Sequence, residues 1–282
     1  SLASLTEVRS IDGRRRRASL LYTYPSYLGE LVEAGLALGL EPSDFGLRRV
    51  FVGGEIVTEA VVRRASALFG EVEITSGYGM TELWPLSGTR CEDGHLHFQP
   101  TYGRVEVLDL DADRPAEPGA PGRIVATPFL PFRESTLLLR YDTEDLVRTL
   151  AAPPACSLRH LPATSDLLGK RAHALRLADG RWVFPRDVLE AVEGAPDVPL
   201  PAAVRWDAAP GGIDVAVAVR QGSDPEGVRC AVAEALVARG VPVASIAVGE
   251  RAPQGAFPWR ARQRELTLSA SAPSPRPTAT PA

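Results

Sequence analysis

The sequence predicts three successive regions: an α/β region, a β region and a small α+β domain. Strands and helices alternate over the first part of the chain, whereas short runs broken by proline and glycine fill the middle part. The last part pairs hairpins with helices. The expected boundaries are 1–95, 96–165 and 166–270, followed by a Ser/Pro/Ala/Thr-rich segment, 271–282, that is expected to be disordered.

The α/β region begins with apolar residues at helical spacing, which predict an amphipathic helix over 27–40. A short apolar run, 47–52, predicts a buried strand. Thr58 is a suitable cap for the next helix, which should end at Gly70, and a second strand is predicted over 72–75. This order indicates a parallel sheet with crossover helices. Ligands of such sheets bind beyond the carboxyl ends of the strands.

The β region and the final domain contain shorter elements. Alternating runs predict strands over 104–110, 123–128 and 136–141, which would form an antiparallel sheet or a small barrel. A linker is expected around 165–170. The elements predicted beyond it are a hairpin with strands at Leu175 and Trp182, a helix over 186–192, a second hairpin, a helix over 225–239 and a strand over 243–248.

Composition narrows the class of protein. A net charge of −4 with interspersed acidic and basic residues argues against a nucleic-acid-binding surface. The run of arginines at 14–17 is interpreted as an exposed loop, with a targeting or polyanion-binding patch as the alternative. Three cysteines indicate a reducing compartment rather than a disulfide framework. Since the sequence has neither a membrane-spanning apolar segment nor a secretory apolar core, no membrane association and a cytoplasmic location are expected.

Two motifs carry the functional argument. Residues 77–82 read Gly-Tyr-Gly-Met-Thr-Glu and follow a predicted strand, so Thr81 and Glu82 present a hydroxyl beside a carboxylate. This pair suits a phosphate and its Mg²⁺, because hard cations take oxygen ligands. Farther along, 140–146 read Arg-Tyr-Asp-Thr-Glu-Asp-Leu and offer carboxylates for a ribose diol. Together the two motifs indicate half of a nucleotide site.

At these residues the chain resembles the adenylate-forming enzymes, most closely the phenylacetate–CoA ligase-like branch. The resemblance implies that Tyr78, Gly79, Met80, Thr81 and Glu82 hold the nucleotide phosphate. Glu82 would bind the Mg²⁺, and Thr81 and Glu82 would be catalytic. It also implies part of a large adenylation domain, with a parallel sheet and a small β-barrel, ahead of a small mobile C-terminal α+β domain.

The same resemblance assigns binding roles to two further segments. Tyr141, Thr143 and Asp145 match the ribose-binding segment, in which the aspartate binds the ribose hydroxyls. The turn Gly53–Gly54–Glu55 should lie near the adenine. Tyr78 is interpreted as stacking on the adenine, or else as packing the turn.

The chain also departs from the family pattern. Residues 1–52 contain no glycine-rich, Ser/Thr-rich phosphate loop, and the chain opens on Ser-Leu, so a missing or separate N-terminal half is expected. The family carries a catalytic lysine near its C-terminus, whereas Lys170 is the single lysine here. Arg260 or Arg262 is a candidate substitute, although arginine and lysine differ in shape and hydration.

The hinge of the family matches Gly169–Lys170 in this chain. Lys170 is a candidate anchor for one domain pose through a salt bridge, or else an ordinary surface lysine. Arg171–Ala172 replaces the acidic pair that is frequent at this hinge, which puts domain alternation in doubt.

Cysteine and histidine are concentrated in two short segments, Cys91-x₃-His95-x-His97 and Cys156-x₃-His160. Four thiolate and imidazole ligands suit a closed tetrahedral Zn²⁺ site, for which Cys91, His95 or His97, and Cys156 are the best candidates. The alternatives are buried free cysteines beside loop histidines and a Cys-His catalytic dyad.

These features predict an ATP-dependent, AMP-forming ligase that activates a carboxylate, expected to be an aryl or arylacetic acid, as an acyl-adenylate. CoA is the expected acceptor. A second hypothesis keeps the adenylation but uses an amine acceptor or a small oxyanion such as nitrite. A third is a non-catalytic nucleotide-binding half or a pseudoenzyme. A homodimer is a further expectation.

Overall fold

The computed structural model describes residues 1–11 and 13–256. Arg260, Arg262 and the tail 271–282 lie outside the described residues. The helices are α1 (Leu2–Thr6), α2 (Pro25–Ala37), α3 (Glu59–Phe69), α4 (Pro185–Gly194) and α5 (Pro225–Ala238), with 3₁₀ turns at Pro42–Asp44 and Arg171–His173. None of the described helices is both long enough and apolar enough to cross a membrane.

The strands are numbered in chain order. They are β1 (Arg9–Ile11), β2 (Arg14–Arg16), β3 (Leu20–Thr23), β4 (Arg49–Gly53), β5 (Glu73–Tyr78), β6 (Gly88–Arg90), β7 (Leu96–Phe98), β8 (Gly103–Asp109), β9 (Pro121–Pro128), β10 (Tyr141–Arg148), β11 (Ala163–Thr164), β12 (Gly169–Lys170), β13 (Leu175–Arg176), β14 (Trp182–Val183), β15 (Val204–Ala209), β16 (Gly212–Ala218) and β17 (Val243–Gly249).

A six-stranded sheet forms the first layer, in the order β11-β7-β6-β5-β4-β3. Strands β3, β4 and β5 are parallel, as was predicted for β4 and β5, and α2 and α3 connect them. Their carboxyl ends therefore lie at one edge of the sheet, where Gly53 of β4 pairs with Gly77 of β5. Strand β3 was not predicted. The arginine run expected to be a loop instead contributes β2, an exposed strand that pairs with β1.

The helix termini show why the chain turns where it does. The hydroxyl of Thr58 accepts a bond from the N–H of Val61 at the start of α3, and Gly70 ends that helix with a φ of +81°. Side-chain caps of this kind satisfy helix N–H groups that otherwise lack partners. Helix α2 begins at Pro25 and ends before Gly39, whose φ is +65°. It therefore stops short of the predicted end at residue 40.

The second sheet has four antiparallel strands in the order β12-β10-β9-β8. It is open, because β8 and β12 do not pair in the described part of the chain, so the expected small barrel is wrong in its closure. The strand predicted over 136–141 is also wrong. The positive φ values of Thr136 and Arg140 interrupt an extended strand, and Leu137 and Leu139 are exposed, whereas Leu138 between them packs against Leu83 and Leu86. The pairing starts at Tyr141.

The predicted linker around 165–170 contributes a strand, since Lys170 of β12 pairs with Asp145 of β10. Strands β7 and β11, from beyond residue 95, belong to the six-stranded sheet. The domain boundaries at 95 and 165 stay predictions.

The C-terminal α+β module follows the predicted order of elements. The hairpin β13–β14 leads into α4, and a three-stranded sheet, β15-β16-β17, packs with α5. Its core also contains Ile56, from the turn after β4, so the module packs directly against the first layer. The mixed α/β, β and α+β fold class is confirmed, whereas the mobility of the module stays a prediction.

Candidate functional site

A cleft of about 300 Å³ opens where the six-stranded sheet meets strands β10 and β12 of the second sheet. Both sequence motifs and the predicted hinge contribute to its lining. The predicted site residues that line it are Gly54, Glu55, Tyr78, Gly79, Met80, Glu82, Asp145 and Lys170. We call it the nucleotide cleft. The structure therefore brings together residues that lie far apart in the sequence.

Asp145 is the buried carboxylate of this cleft. Its Oδ2 accepts a 3.0 Å hydrogen bond from the hydroxyl of Tyr78, and its Oδ1 lies 3.1 Å from Nζ of Lys170. Nζ also donates to the carbonyl of Thr143 at 2.9 Å. Burial raises the pKa of the Asp145 carboxyl, and the ammonium of Lys170 opposes that rise. The single lysine of the chain thus compensates a buried charge.

Tyr78 ends β5 and is buried between the two sheets. Its ring meets that of Phe98 edge to face, with centroids 6.0 Å apart. Burial, followed by the nearby charge of Asp145, raises the pKa of its phenol, so the hydroxyl stays a hydrogen-bond donor. Packing of the turn is therefore present, while stacking on adenine stays a prediction.

The Gly-Gly-Glu turn forms the opposite wall of the nucleotide cleft. The carboxylate of Glu55 accepts bonds from the N–H and the hydroxyl of Ser26, both 2.9 Å long, at the start of α2. Gly54 has a φ of +84°, and a Cβ there would lie 2.8 Å from the ring of Tyr24. A side chain at Gly54 is therefore excluded by both backbone and space.

Thr81 and Glu82 lie in a turn that follows Gly79. The carbonyl of Met80 accepts bonds from the N–H groups of Leu83 (3.2 Å) and Trp84 (3.1 Å), which closes the turn. Both Thr81 and Glu82 are exposed, so their oxygens are available to a ligand. Glu82 faces the nucleotide cleft.

A second cleft of about 820 Å³ adjoins the first and shares Tyr78, Gly79 and Met80 with it. Gly53 and Thr81 line this larger cleft. Tyr141, by contrast, lines neither cleft and packs against the cluster around Leu83 and Leu86.

Sequence reasoning missed the aromatic wall of the larger cleft. Tyr22, Tyr24, Phe51 and Trp84 line it, and the rings of Tyr22 and Phe51 stack with centroids 5.0 Å apart. Arg133 lines it as well and donates to the carbonyls at 81 and 84. An available signal was the Tyr-Thr-Tyr sequence directly before α2, which marks the end of a third parallel strand.

Cys91, His95, His97 and Cys156, which we call the Cys/His cluster, also converge. One potential ligand atom from each lies within 4.8 Å of those of all the others. His160, the remaining candidate from the sequence, is exposed and does not belong to the cluster. Cys230 is an exposed free cysteine on α5.

Comparisons with known proteins agree with this architecture. Residues 10–128 match the model of a family described as AMP-binding enzyme. A search of curated protein sequences found no significant match.

Several solved structures share the fold. 2-Hydroxyisobutyryl-CoA ligase, in the postadenylation state with R3-HIB-AMP, is 18% identical with a TM-score of 0.64, over 89% of this chain and 57% of that chain. A benzoate CoA ligase from Burkholderia xenovorans LB400 is 19% identical with a TM-score of 0.60, over 91% and 52%. Apo MatB from Rhodopseudomonas palustris is 17% identical with a TM-score of 0.58, over 90% and 52%.

The chain thus spans only 52–57% of the length of these structures. The phenylacetate-specific branch stays a prediction. Residues 10–128 carry the sequence pattern of the AMP-binding enzymes, and the chain has the fold of adenylate-forming CoA ligases.

Proposed function

We propose that this chain binds the nucleotide of an ATP-dependent, AMP-forming ligase that activates a carboxylic acid. The observation that carries the proposal is the nucleotide cleft, where Glu82, Tyr78 and Asp145 of the two motifs face the same space. If the two motifs were only a capped turn and an unrelated acidic loop, they would not be expected to line the same cleft.

Asp145 is the proposed ribose ligand. A carboxylate offers about four lone-pair sites, of which Tyr78 and Lys170 use two. The remaining sites suit the two hydroxyls of a ribose. The adenine would lie by Gly54 and Glu55, which line the nucleotide cleft. The backbone after Gly79 would face the phosphate.

Glu82 is the proposed Mg²⁺ ligand. Mg²⁺ in nucleotide sites usually takes one or two carboxylates and completes its shell with phosphate oxygens and water. Glu82 is exposed at the nucleotide cleft, while Asp145 is buried and each of its oxygens already has a protein partner. The residues present therefore fit a single-carboxylate Mg²⁺ site. When bound, the ion would neutralise charge on the phosphates during transfer.

The larger cleft is the proposed site of the acid. Its five aromatic residues, Tyr22, Tyr24, Phe51, Tyr78 and Trp84, favour an aryl or arylacetic acid, because rings pack well edge to face or offset. In the proposed first step, a carboxylate oxygen attacks the α-phosphorus, and the bond to pyrophosphate breaks. In the second, a thiol, proposed to be that of CoA, attacks the acyl carbon and AMP leaves.

Catalysis requires groups that the described residues do not supply. We propose a partner segment bearing the glycine-rich phosphate loop, in a separate or preceding N-terminal half. Lys170 is engaged by Asp145, so no described lysine is available for the role of the family's C-terminal lysine. Loss of one such donor typically costs about 2.7–4 kcal/mol of transition-state stabilisation. Homodimer formation and a cytoplasmic location stay predictions.

Because Lys170 is engaged, a second candidate function is nucleotide binding without catalysis, by a pseudoenzyme or the nucleotide-binding half of a split enzyme. It predicts affinity for AMP but no exchange of pyrophosphate into ATP. An amine-accepting or nitrite-activating ligase differs again, since its AMP release would not depend on CoA. Assays of exchange and of CoA dependence separate these cases.

Calorimetric titration of AMP into the chain with Mg²⁺ tests the binding step. Asp145→Asn should weaken AMP binding about ten-fold or more, which corresponds to about 1.4 kcal/mol. The matched control is Glu144→Gln, because Glu144 is the neighbouring carboxylate and is exposed. Equal affinity in Asp145→Asn and the parent would exclude the ribose role. Absence of AMP binding by the parent would overturn nucleotide binding by these residues.

A further inference from the structure

The Cys/His cluster joins two distant parts of the chain beside β7. Sγ of Cys91 lies 3.8 Å from Nδ1 of His95, and Sγ of Cys156 lies 3.2 Å from Nε2 of His97. In a tetrahedral zinc site with bonds of 2.3 Å to sulfur and 2.0–2.1 Å to nitrogen, such atoms lie about 3.5 Å apart. The two observed distances bracket this value. These two sulfur–nitrogen pairs therefore already have about the spacing of zinc ligands, and all four potential ligand atoms lie within 4.8 Å of one another.

His97 is the member of the cluster that most needs a further partner. It is fully buried, and its Nδ1 has no hydrogen-bond partner among the described residues. Its Nε2 meets only a thiol, which is a weak partner. A metal bond at Nε2 would replace this weak contact with a strong one, and the neutral imidazole would then carry its proton on Nδ1.

The backbone around the cluster is built to hold the ligands in place. A tight turn links Cys91 to His95, since the N–H of Cys91 donates to the carbonyl of His95 and Gly94 has a φ of +82°. His95 directly precedes β7 and His97 lies within it, so the two side chains, two residues apart in extended chain, point to one face. The turn and the strand together present three ligands to the same point.

A separate set of contacts holds the fourth ligand, Cys156, near the other three. The carboxylate of Glu92 accepts bonds from the N–H (2.7 Å) and the hydroxyl (2.9 Å) of Ser157. Strand β11 pairs with β7, with Ala163 opposite His97. Glu92, which follows Cys91, is thus bonded to Ser157, which follows Cys156. The pairing of β7 with β11 is a second connection between the two segments.

We propose that the Cys/His cluster binds one structural Zn²⁺ ion in a closed site. Two thiolates and two imidazoles are the ligand set of structural zinc, which leaves no open position for a substrate. None of the four residues lines the nucleotide cleft or the larger cleft. The ion fastens the segment 156–164 to the six-stranded sheet and takes no part in the adenylation chemistry.

The test is metal analysis of the full-length chain, purified without a tag and after dialysis against zinc and then against metal-free buffer. Elemental analysis should find one zinc per chain. Replacement by Co²⁺ should give the intense visible absorption of tetrahedral cobalt bound to thiolate. Because both measurements use the parent protein, they do not depend on the folding of a variant.

Matched variants locate the ion. Cys156→Ser should lose the zinc, while Cys230→Ser and His160→Gln should retain it, because these two residues lie outside the cluster. With zinc bound, one of the three cysteines of the parent, Cys230, should react rapidly with a thiol reagent, and chelation should release the other two. A parent that holds no stoichiometric zinc, or zinc lost equally from Cys230→Ser, would overturn the proposal.

Discussion

The phenol of Tyr78 donates to Asp145 across 67 residues of sequence, and this 3.0 Å bond joins the two motifs of the nucleotide cleft. Lys170 approaches the same carboxylate from β12. Three segments therefore converge on one buried charge. The carboxylate is oriented before any nucleotide arrives, so that its remaining lone pairs need not reorganise on binding.

Removal of the Lys170 ammonium should destabilise the folded protein, because the carboxylate of Asp145 would be buried without a cation. Lys170→Met leaves the Asp145 carboxylate without its cation, and removal of one partner from a fully buried pair costs about 3–5 kcal/mol. Because the Lys170 side chain is 37% exposed, solvent screens the pair, and we expect a loss of about 1–2 kcal/mol in unfolding free energy. Urea unfolding at neutral pH measures it. Lys170→Arg, which keeps the charge, should lose less, and equal losses would contradict a charge effect.

The pH dependence of Asp145→Asn should reveal the raised pKa. Burial lifts the folded-state pKa of Asp145 above its unfolded value of about 3.9. The stability that this group contributes is therefore fully present below about pH 4 and falls as pH rises through the folded pKa. The stability of Asp145→Asn relative to the parent should accordingly increase from pH 4 to 7. Urea midpoints across that range give the difference, with Glu144→Gln as the reference. A stability difference between Asp145→Asn and the parent that does not change with pH would contradict a raised pKa of Asp145.

Glu82→Gln should show whether Glu82 contributes to nucleotide affinity through Mg²⁺. The variant keeps the size of the side chain but loses the negative charge proposed to bind Mg²⁺. We expect ATP affinity in Mg²⁺ to fall about ten-fold, or about 1.4 kcal/mol, with little change in EDTA. Calorimetry in both buffers measures this. The control is Glu71→Gln, at an exposed carboxylate in the loop before β5. An equal loss in EDTA would point to a structural role instead.

Local chemistry explains which elements the sequence predicts. Thr58 and Gly70 bound α3 because a cap and a positive φ act within a few residues. Gly39 would have marked the end of α2 by the same reasoning. In 136–141, by contrast, three leucines follow one another, of which Leu137 and Leu139 are exposed, and the sequence pattern alone cannot show whether a second layer buries them.

The site was predictable in residue type rather than in arrangement. The two nucleotide motifs identify Glu82 and Asp145, but their approach depends on how β5 and β10 pack. Likewise, the sequence offers His95, His97 and His160 as ligands, and only the pairing of β7 with β11 selects the first two. The aromatic wall escaped notice because Tyr22 lies on an unpredicted strand.

Removal of the proposed zinc should loosen one segment more than the rest. Hydrogen exchange after chelation should accelerate over 156–164, the segment that Glu92 and β7 would still contact. We expect a lower melting temperature as well, since bound metal stabilises only the folded state. Cys156→Ser should show the same exchange pattern without chelator. Uniform acceleration across α5 and β16 would contradict local fastening.

We expect the buried carboxylate of Glu193 to contribute strongly to the attachment of the C-terminal module to α3. It is fully buried where α4 meets α3, with the Thr58 hydroxyl at 2.5 Å and the Ala202 N–H at 3.1 Å from its two oxygens. Any large rotation of the module would have to break the bond to Thr58. Glu193→Ala removes the acceptor of both groups, and we expect the unfolding free energy to fall by about 2–4 kcal/mol.

The matched control is Glu234→Ala, at an exposed position on α5, which should change stability by less than about 0.5 kcal/mol. Denaturant unfolding measures both variants, and hydrogen exchange at α3 and α4 shows whether the loss is local to their contact. Similar small losses in the two variants would mean that the bond between Glu193 and Thr58 contributes little to the attachment of the module. Domain alternation would then be favoured, even though Arg171–Ala172 replaces the acidic hinge pair.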